Sequence, residues 1–284
     1  MPTSSPANSD SLYALMTEPP AIIGVGVVGT AMAQMFGHHV AYDPKLHGDD
    51  QKRFVNRCPI AFVSVPTPMS EDGTCDTSIV EEVVRWCECP LIVLRSTVAP
   101  GTTDRLVAKY RKRIVFQPEY LGETVRHVFT DMTSRPFVVL GGAPEDRSAV
   151  ADFYKRFYNS YVQYHFSDAL TAEVCKYMEN CFYAAKVIFV NEFYDIAKAF
   201  GIDFNLLREL WLADTRISRD HTFVYPHDRG FGGKCLPKDV SAMFNAARER
   251  GYTPEMLKAV LKINDAMRGS DYTRWMTTPQ DPAQ

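Results

Sequence analysis

Apolar residues fall along this chain in short runs through its first half and at helical spacing through its second. Ala21–Ile23, Ile60–Val65, Leu91–Leu94 and Ile114–Phe116 are mostly apolar runs bounded by glycine, proline or polar residues, and they read as short buried strands. His39–Tyr42, Pro136–Leu140 and Tyr161–His165 are further candidate strands. Between them lie helical patterns: AMAQMF after Gly29, Asp76–Glu88 with Ile79, Val83, Val84 and Trp86–Cys87 as apolar positions, and a segment around Asp146–Phe157. Strands alternating with helices predict an α/β fold with a Rossmann-type, mostly parallel sheet.

From Ser167 the character changes. Residues 168–200 carry one unbroken helical pattern that Gly201 stops. At 1.5 Å per residue, such a helix would be about 50 Å long. Between Phe182 and Phe193 it is apolar on more than one face, which predicts burial on both sides and favours a homodimer packed along it. Two more helices are expected at 238–249 and 254–267. The expected organisation is therefore a tail (1–19), a Rossmann-type domain (20–167), an all-helical domain built on the long helix (168–276) and a second tail (277–284).

Composition narrows the function classes. The 284 residues carry a net charge of −3, 46% hydrophobic residues and 23% charged residues, as in an ordinary soluble domain pair. That balance gives no electrostatic case for nucleic acid or an anionic membrane. The polar start lacks the basic-then-apolar order of a secretory signal. Cys181–Val190, the most apolar later segment, is too short to span a bilayer and contains Lys186. Seven irregularly spaced cysteines form no disulfide framework and point to a reducing, cytoplasmic setting. Cys87 and Cys89 read as structural, and no spacing predicts a metal site.

Candidate chemistry collects after the strands. Gly24, Gly26 and Gly29 form G-x-G-x-x-G, with Val27 and Val28 inside it, directly between a strand and a helix. In that context the glycines bring a pyrophosphate against backbone N–H groups at the helix start. Asp43 follows the second strand, 19 residues after Gly24, where an acid suits the ribose hydroxyls of NAD and repels the 2′-phosphate of NADP. Thr67, Thr97 and Glu119 also follow predicted strands, the end of an open α/β sheet at which ligands collect. On the long helix Glu173, Lys176 and Asn180 share a face.

The stretch Gly230–Asp239, GFGGKCLPKD, places one cysteine after a glycine turn and before a helix start marked by Pro237. A thiol there, flanked by Lys234 and Lys238, sits where positive potential favours the thiolate. The combination argues for a nucleophile rather than a buried structural cysteine.

GFGGKCLPKD resembles the active-site loop of the nucleotide-sugar 6-dehydrogenases, the UDP-glucose/GDP-mannose dehydrogenase family, which usually reads GFGGxCxPKD. Other segments are similar too: Pro66–Thr67–Pro68 to its loop beside the cofactor, Ser96–Gly101 to S-T-x-x-P-G, and Gln117–Glu123 to S-P-E-F-L-x-E. Ala172–Asn180 is similar to A-E-x-x-K-x-x-x-N and Asp214–Ile217 to D-x-R-I. The resemblance spans about residues 20–270. It implies NAD as cofactor, touched by Pro66, Thr67, Thr97 and Glu123 besides the glycine loop and Asp43. It also implies a nucleotide-sugar substrate, held by Glu119, Tyr120, Leu121, Lys176, Asn180, Arg216, Phe231, Gly232 and Gly233.

The reaction so implied is oxidation of a primary alcohol to a carboxylate in two hydride transfers. Cys235 would add to the aldehyde as a thiolate, giving a thiohemiacetal and then a thioester. Lys176 and Asn180 would stabilise the oxyanion. Glu119 would be the general base for hydrolysis, with Thr97 and Asp239 ordering water. Three departures from the family pattern stand out. Val27 replaces a usual aromatic, and only sixteen residues separate Asp43 from the next strand. The chain also ends 49 residues after Cys235, without the α/β domain that usually covers the nucleotide half of the substrate. A catalytically idle, dimeric NAD- or nucleotide-sugar-binding scaffold acting through a partner is the alternative.

Overall fold

A computed structural model describes residues 13–121, 132–271 and 273–277. The chain divides into two units, Met1–Thr67 with Asp76–Lys176, and Pro68–Cys75 with Tyr177–Gln284.

The first unit runs from a helical turn at 13–17 (α1) through β1 (Ala21–Ile23), α2 (Val27–Phe36), β2 (Val40–Tyr42), α3 (Lys52–Val55) and β3 (Ile60–Val63). It continues with α4 (Ser78–Trp86), β4 (Leu91–Leu94), α5 (Thr102–Tyr110), β5 (Ile114–Phe116), β6 (Phe137–Gly141), α6 (Pro144–Tyr154) and β7 (Gln163–Ser167). The seven strands form one sheet in the order β2-β1-β3-β4-β5-β6-β7. Every neighbouring pair is parallel except β5 with β6. The chain leaves β1 towards β2 on one side and returns to β3 on the other. The carboxyl ends of β1 and β3 therefore flank the topological switch point of the sheet.

Alternation of side chains across the sheet splits the core in two. Ala61 and Val63 of β3 join Ile23, Ile92, Leu94 and Phe116 against Val80, Val83 and Val84 of α4. Ile60 and Phe62 face the other way, with Ile22, Val93 and Val115, onto Met32 and Phe36 of α2 and Phe153 and Tyr154 of α6. Both faces are thus covered, which is why these strands read as continuous apolar runs.

Helix α7 (Ala169–Phe200) begins in the first unit, and Gly201, at φ 66°, ends it. The second unit adds α8 (Phe204–Trp211), α9 (Leu236–Glu249), α10 (Glu255–Arg268) and α11 (Arg274–Thr277). Asp203 caps α8 by accepting from the Asn205 amide at 2.6 Å. Cys181, Ala184 and Ile188 of α7 pack with Phe231, Val240, Phe244, Leu261 and Trp275 as this unit's core. Residues 68–75 turn back through a Met69–Cys75 bridge, and Gly73 lies so close to the Trp275 ring that a Cβ would stand 2.5 Å from it. On the other side of α7, Met178, Phe182, Phe189, Phe193 and Phe200 are exposed. No helix among the described residues is long and apolar enough to cross a membrane.

Some elements depart from expectation. Helix α2 starts at Val27, inside the glycine motif, because Gly26 already serves as its N-cap. The last strand lies two residues later than 161–165, and α9 begins at Leu236 rather than 238. Helices α1, α3, α5, α8 and α11 lie outside the expected elements, and α1, with Leu15 buried, falls within the expected tail (1–19).

Candidate active site

The glycine loop of the first unit is shaped by two contacts and one opening. Gly24, at φ 89°, sits where a Cβ would meet the Ser64 carbonyl oxygen at 2.4 Å, just past β3. A Cβ on Gly29 would stand 2.0 Å from the Gly24 carbonyl oxygen. These two positions serve packing at the switch point. Gly26 differs: no atom lies within 4 Å of where its Cβ would be. No side chain caps the start of α2, so its first-turn N–H groups have no side-chain acceptor. A free approach and unclaimed donors at a helix N-terminus are what a pyrophosphate requires. Val27 is exposed and Val28 half-buried on the same turn.

Asp43 follows β2 and closes this loop from the side. Its Oδ2 accepts from the Val25 amide at 2.9 Å and its Oδ1 from the Lys45 amide at 3.0 Å. Those two amide hydrogen bonds, Val25 first, hold its carboxyl below its ordinary value. The carboxylate is therefore held in its charged form beside the glycine loop. Pro66 is exposed, while Thr67 is buried and donates its hydroxyl to the Thr97 carbonyl at 2.7 Å. That bond joins the loops after β3 and β4.

Glu119, after β5, sits in a buried cluster of polar side chains. Its Oε2 pairs with Arg95, and its Oε1 with Arg135. The same Oε1 accepts from the amides of Tyr120, at 2.7 Å, and Leu121, at 2.5 Å. Arg95 also donates to Gln117 and to the Tyr154 hydroxyl, at 3.0 and 3.1 Å. Burial works to raise the Glu119 carboxyl, but Arg95 and Arg135 outweigh it and hold the group below its ordinary value. Glu119 is thus ionised with both oxygens committed. The sequence did not single out Arg95 or Arg135, because a buried guanidinium is written with the same letter as a solvated one.

Tyr120 and Leu121 continue this loop, and the Lys176 ammonium lies 5.0 Å from the centre of the Tyr120 ring. Three residues before Lys176 on α7, Glu173 is fully buried. It accepts from the Gly101 amide at 2.5 Å, and from the Thr103 amide and hydroxyl at 2.8 and 2.6 Å. It therefore caps α5 and fixes the start of α7 to the loop that carries Thr97. The expected face shared with Lys176 and Asn180 had suggested Glu173, but not this anchoring role. Glu123 lies outside the described residues.

The second unit holds the thiol. Cys235 is exposed and is the N-cap of α9, with Pro237 in the first turn. Gly233, at φ 77°, adopts a turn that only glycine takes easily. Asp239 is buried one turn on. It accepts from the Asn180 amide nitrogen and pairs with Lys238, both at 2.5 Å. Of the two lysines that flank the thiol, Lys238 interacts favourably with Cys235 as well as with Asp239. Lys238 shares its charge with Asp239, whose attraction outweighs burial and raises the ammonium above its ordinary value. Lys234 is exposed. Phe231 is buried, Gly232 half-buried and Gly233 exposed. Arg216 is exposed and held to Asp214 at 2.6 Å. Among the described residues, no group of three or more His, Cys, Asp or Glu is arranged to hold a metal ion.

Comparison with known proteins gives a consistent result. Residues 45–161 match the NAD binding domain of the UDP-glucose/GDP-mannose dehydrogenase family, and residues 170–266 match its central domain. The UDP-glucose 6-dehydrogenase AglM of Haloferax volcanii is 33% identical over 229 residues, covering 72% of this chain and 51% of that protein. The UDP-glucose 6-dehydrogenase of Pseudomonas aeruginosa is 32% identical over 219 residues, covering 71% of this chain and 47% of that one. The solved structure of a UDP-glucose dehydrogenase from Pyrobaculum islandicum superposes with a TM-score of 0.74 at 26% identity, covering 87% of this chain and 68% of that one. The chain spans about half the length of the curated relatives it matches. Two successive domains of one family, in their expected order on a Rossmann-type sheet and a helical unit, place this chain in the UDP-glucose/GDP-mannose dehydrogenase family.

Proposed function

We propose that the chain is an NAD-dependent dehydrogenase that oxidises the C6 primary alcohol of a UDP-glucose-like nucleotide sugar to the carboxylate. The observation that carries this reading is Cys235: an exposed thiol at a helix N-terminus, presented by a glycine turn. Binding alone would not need a nucleophile there. Two molecules of NAD, bound in succession, would each accept one of the two hydrides that the alcohol-to-acid oxidation releases.

The chain's own residues carry the remaining work. Gly26 and the start of α2 receive the pyrophosphate, and Asp43 the ribose hydroxyls. Cys235 Sγ adds to the aldehyde carbon, so the carbonyl oxygen becomes an alkoxide that Lys176 and Asn180 stabilise. Loss of the remaining C–H hydride leaves a thioester, and water then replaces sulfur, giving the carboxylate and returning the thiol. Asp239, through Asn180, orients that amide, and Thr97 joins it in ordering water. As a base for the hydrolysis, Glu119 starts in the required ionised form. To take a proton it must release one oxygen from its arginines. Phe231, Gly232, Gly233, Tyr120, Leu121 and Arg216 are proposed substrate contacts, and Pro66, Thr67 and Glu123 cofactor contacts. The exposed face of α7, from Met178 to Phe200, supports a homodimer.

The test follows NADH with a panel of nucleotide sugars, in wild type and Cys235→Ala. Two NADH per sugar, lost in the variant, is the expected result. NAD binding without turnover on any sugar would instead identify an idle scaffold.

A further inference from the structure

Two buried asparagines meet the loop that carries Cys235, one from each of two helices. Asn191 of α7 accepts at Oδ1 from the Gly230 amide, at 3.2 Å. Asn264 of α10 accepts at Oδ1 from the next amide, Phe231, at 2.7 Å. Successive N–H groups of the loop are thus held by side chains from two different helices.

Each asparagine is oriented for this task. Asn191 donates its Nδ2 to the Val187 carbonyl of its own helix at 2.8 Å, which turns Oδ1 towards the loop. The same Oδ1 takes the Arg229 Nε at 2.7 Å, and Arg229 continues to Asp195 at 2.7 Å. Asn264 cannot be reversed, since its NH₂ would then face the Phe231 amide. Its Nδ2 is buried with no partner among the described residues. An amide that leaves one half unsatisfied inside an apolar core is costlier than a leucine there, unless its oxygen is needed. Gly230, at φ 72°, fits the arrangement, because a Cβ would stand 2.4 Å from Asn264 Oδ1. Arg268, also on α10, donates to the Arg229 carbonyl at 3.0 Å and pairs with Asp228 at 2.9 Å.

We propose that Asn191 and Asn264 are positioning residues that clamp the Gly230–Phe231 backbone and thereby fix where the Cys235 thiol is presented. The proposal rests on the reading of Cys235 as the nucleophile. The clamp touches no reacting atom. It acts by holding the loop four residues ahead of the thiol in one shape, with the Phe231 side chain buried behind it.

The test uses the full chain with Asn264→Leu and Asn191→Leu, beside Asn264→Asp, which keeps an acceptor oxygen. Thermal melts establish that each variant is folded. Three readings follow: trypsin cleavage after Arg229, the rate of Cys235 alkylation by iodoacetamide, and NADH formation from UDP-glucose. The expected result for either leucine variant is cleavage about tenfold faster, a changed alkylation rate, and a fall in kcat with KM for NAD unchanged. Asn264→Asp is expected to recover most of each. A folded Asn264→Leu with wild-type cleavage and alkylation overturns the proposal. If that variant does not fold, Gly230→Ala, which drives Asn264 Oδ1 off the loop, is read by the same criteria. If wild type makes no NADH from any sugar of the panel, the dehydrogenase reading fails by itself, while cleavage and alkylation still decide the clamp.

Discussion

Arg95 and Glu119 form an ion pair in which the arginine side chain has 0% of its surface exposed and the glutamate 11%. Arg135 pairs with the same carboxylate from β6's leading edge. Removing one member of such a group leaves a charge without compensation, so Arg95→Met is expected to cost roughly 3–5 kcal/mol in urea unfolding. A cost below about 1 kcal/mol would show that the pair is solvated.

The same group makes a pH prediction. Because the Glu119 carboxyl lies below its ordinary value of 4.5 in the folded chain, its contribution is complete above that pH and fades as pH falls through the folded value. The stability gap between wild type and Glu119→Gln should therefore be constant from pH 7 to 5 and narrow on further acidification. Glu173 has the opposite sign. Burial pushes its carboxyl up, against hydrogen bonds from Thr103 and Gly101. Its titration should weaken wild type relative to Glu173→Gln as pH rises from 4 to 7, measured as the difference in Tm.

Two glycines of one motif should respond differently to alanine. Gly29→Ala drives a Cβ to 2.0 Å from the Gly24 carbonyl oxygen and should cost roughly 1–3 kcal/mol or more. Gly26→Ala meets no protein atom and, at φ −81°, is unstrained, so stability should hold within about 0.5 kcal/mol. Its effect should fall on NAD, by about tenfold in Kd (~1.4 kcal/mol), because the added methyl fills the approach through which the pyrophosphate would reach the backbone N–H groups. Thermal melts and NAD titration separate the two outcomes.

The cysteines should sort by exposure. Cys175 and Cys235 are exposed and the other five buried, with burial pushing Cys181 up to about 12 and Cys58 to about 11. Brief iodoacetamide treatment at pH 8 should add two groups by intact mass, and one in Cys235→Ala. Rapid addition of more would mean that the buried thiols open readily.

Much of this was legible because burial on both faces writes strands as uninterrupted apolar runs, so Ala21–Ile23, Leu91–Leu94 and Ile114–Phe116 lie where the pattern placed them. The last strand slipped because Tyr161 has the right chemistry but stands exposed, and no residue of β7 itself is buried. Helix α5 hid because its buried positions include Thr102 and Thr103, which carry no apolar periodicity. At the site, glycine spacing and the cysteine loop were readable from local order. The arginine clamp on Glu119 and the anchoring by Glu173 were not, since each joins residues that only the folded sheet and helices bring together.

The acceptor oxygens that shape the Cys235 loop come from helices far apart along the chain. Each amide reaches its target only once its own helix has docked, so a nascent or heat-opened molecule carries Cys235 on a loop without these two hydrogen bonds. Trypsin cleavage after Arg229 on warming should then track the loosening of α7 from α10, and iodoacetamide should lose its preference for the exposed thiols as soon as this region frays.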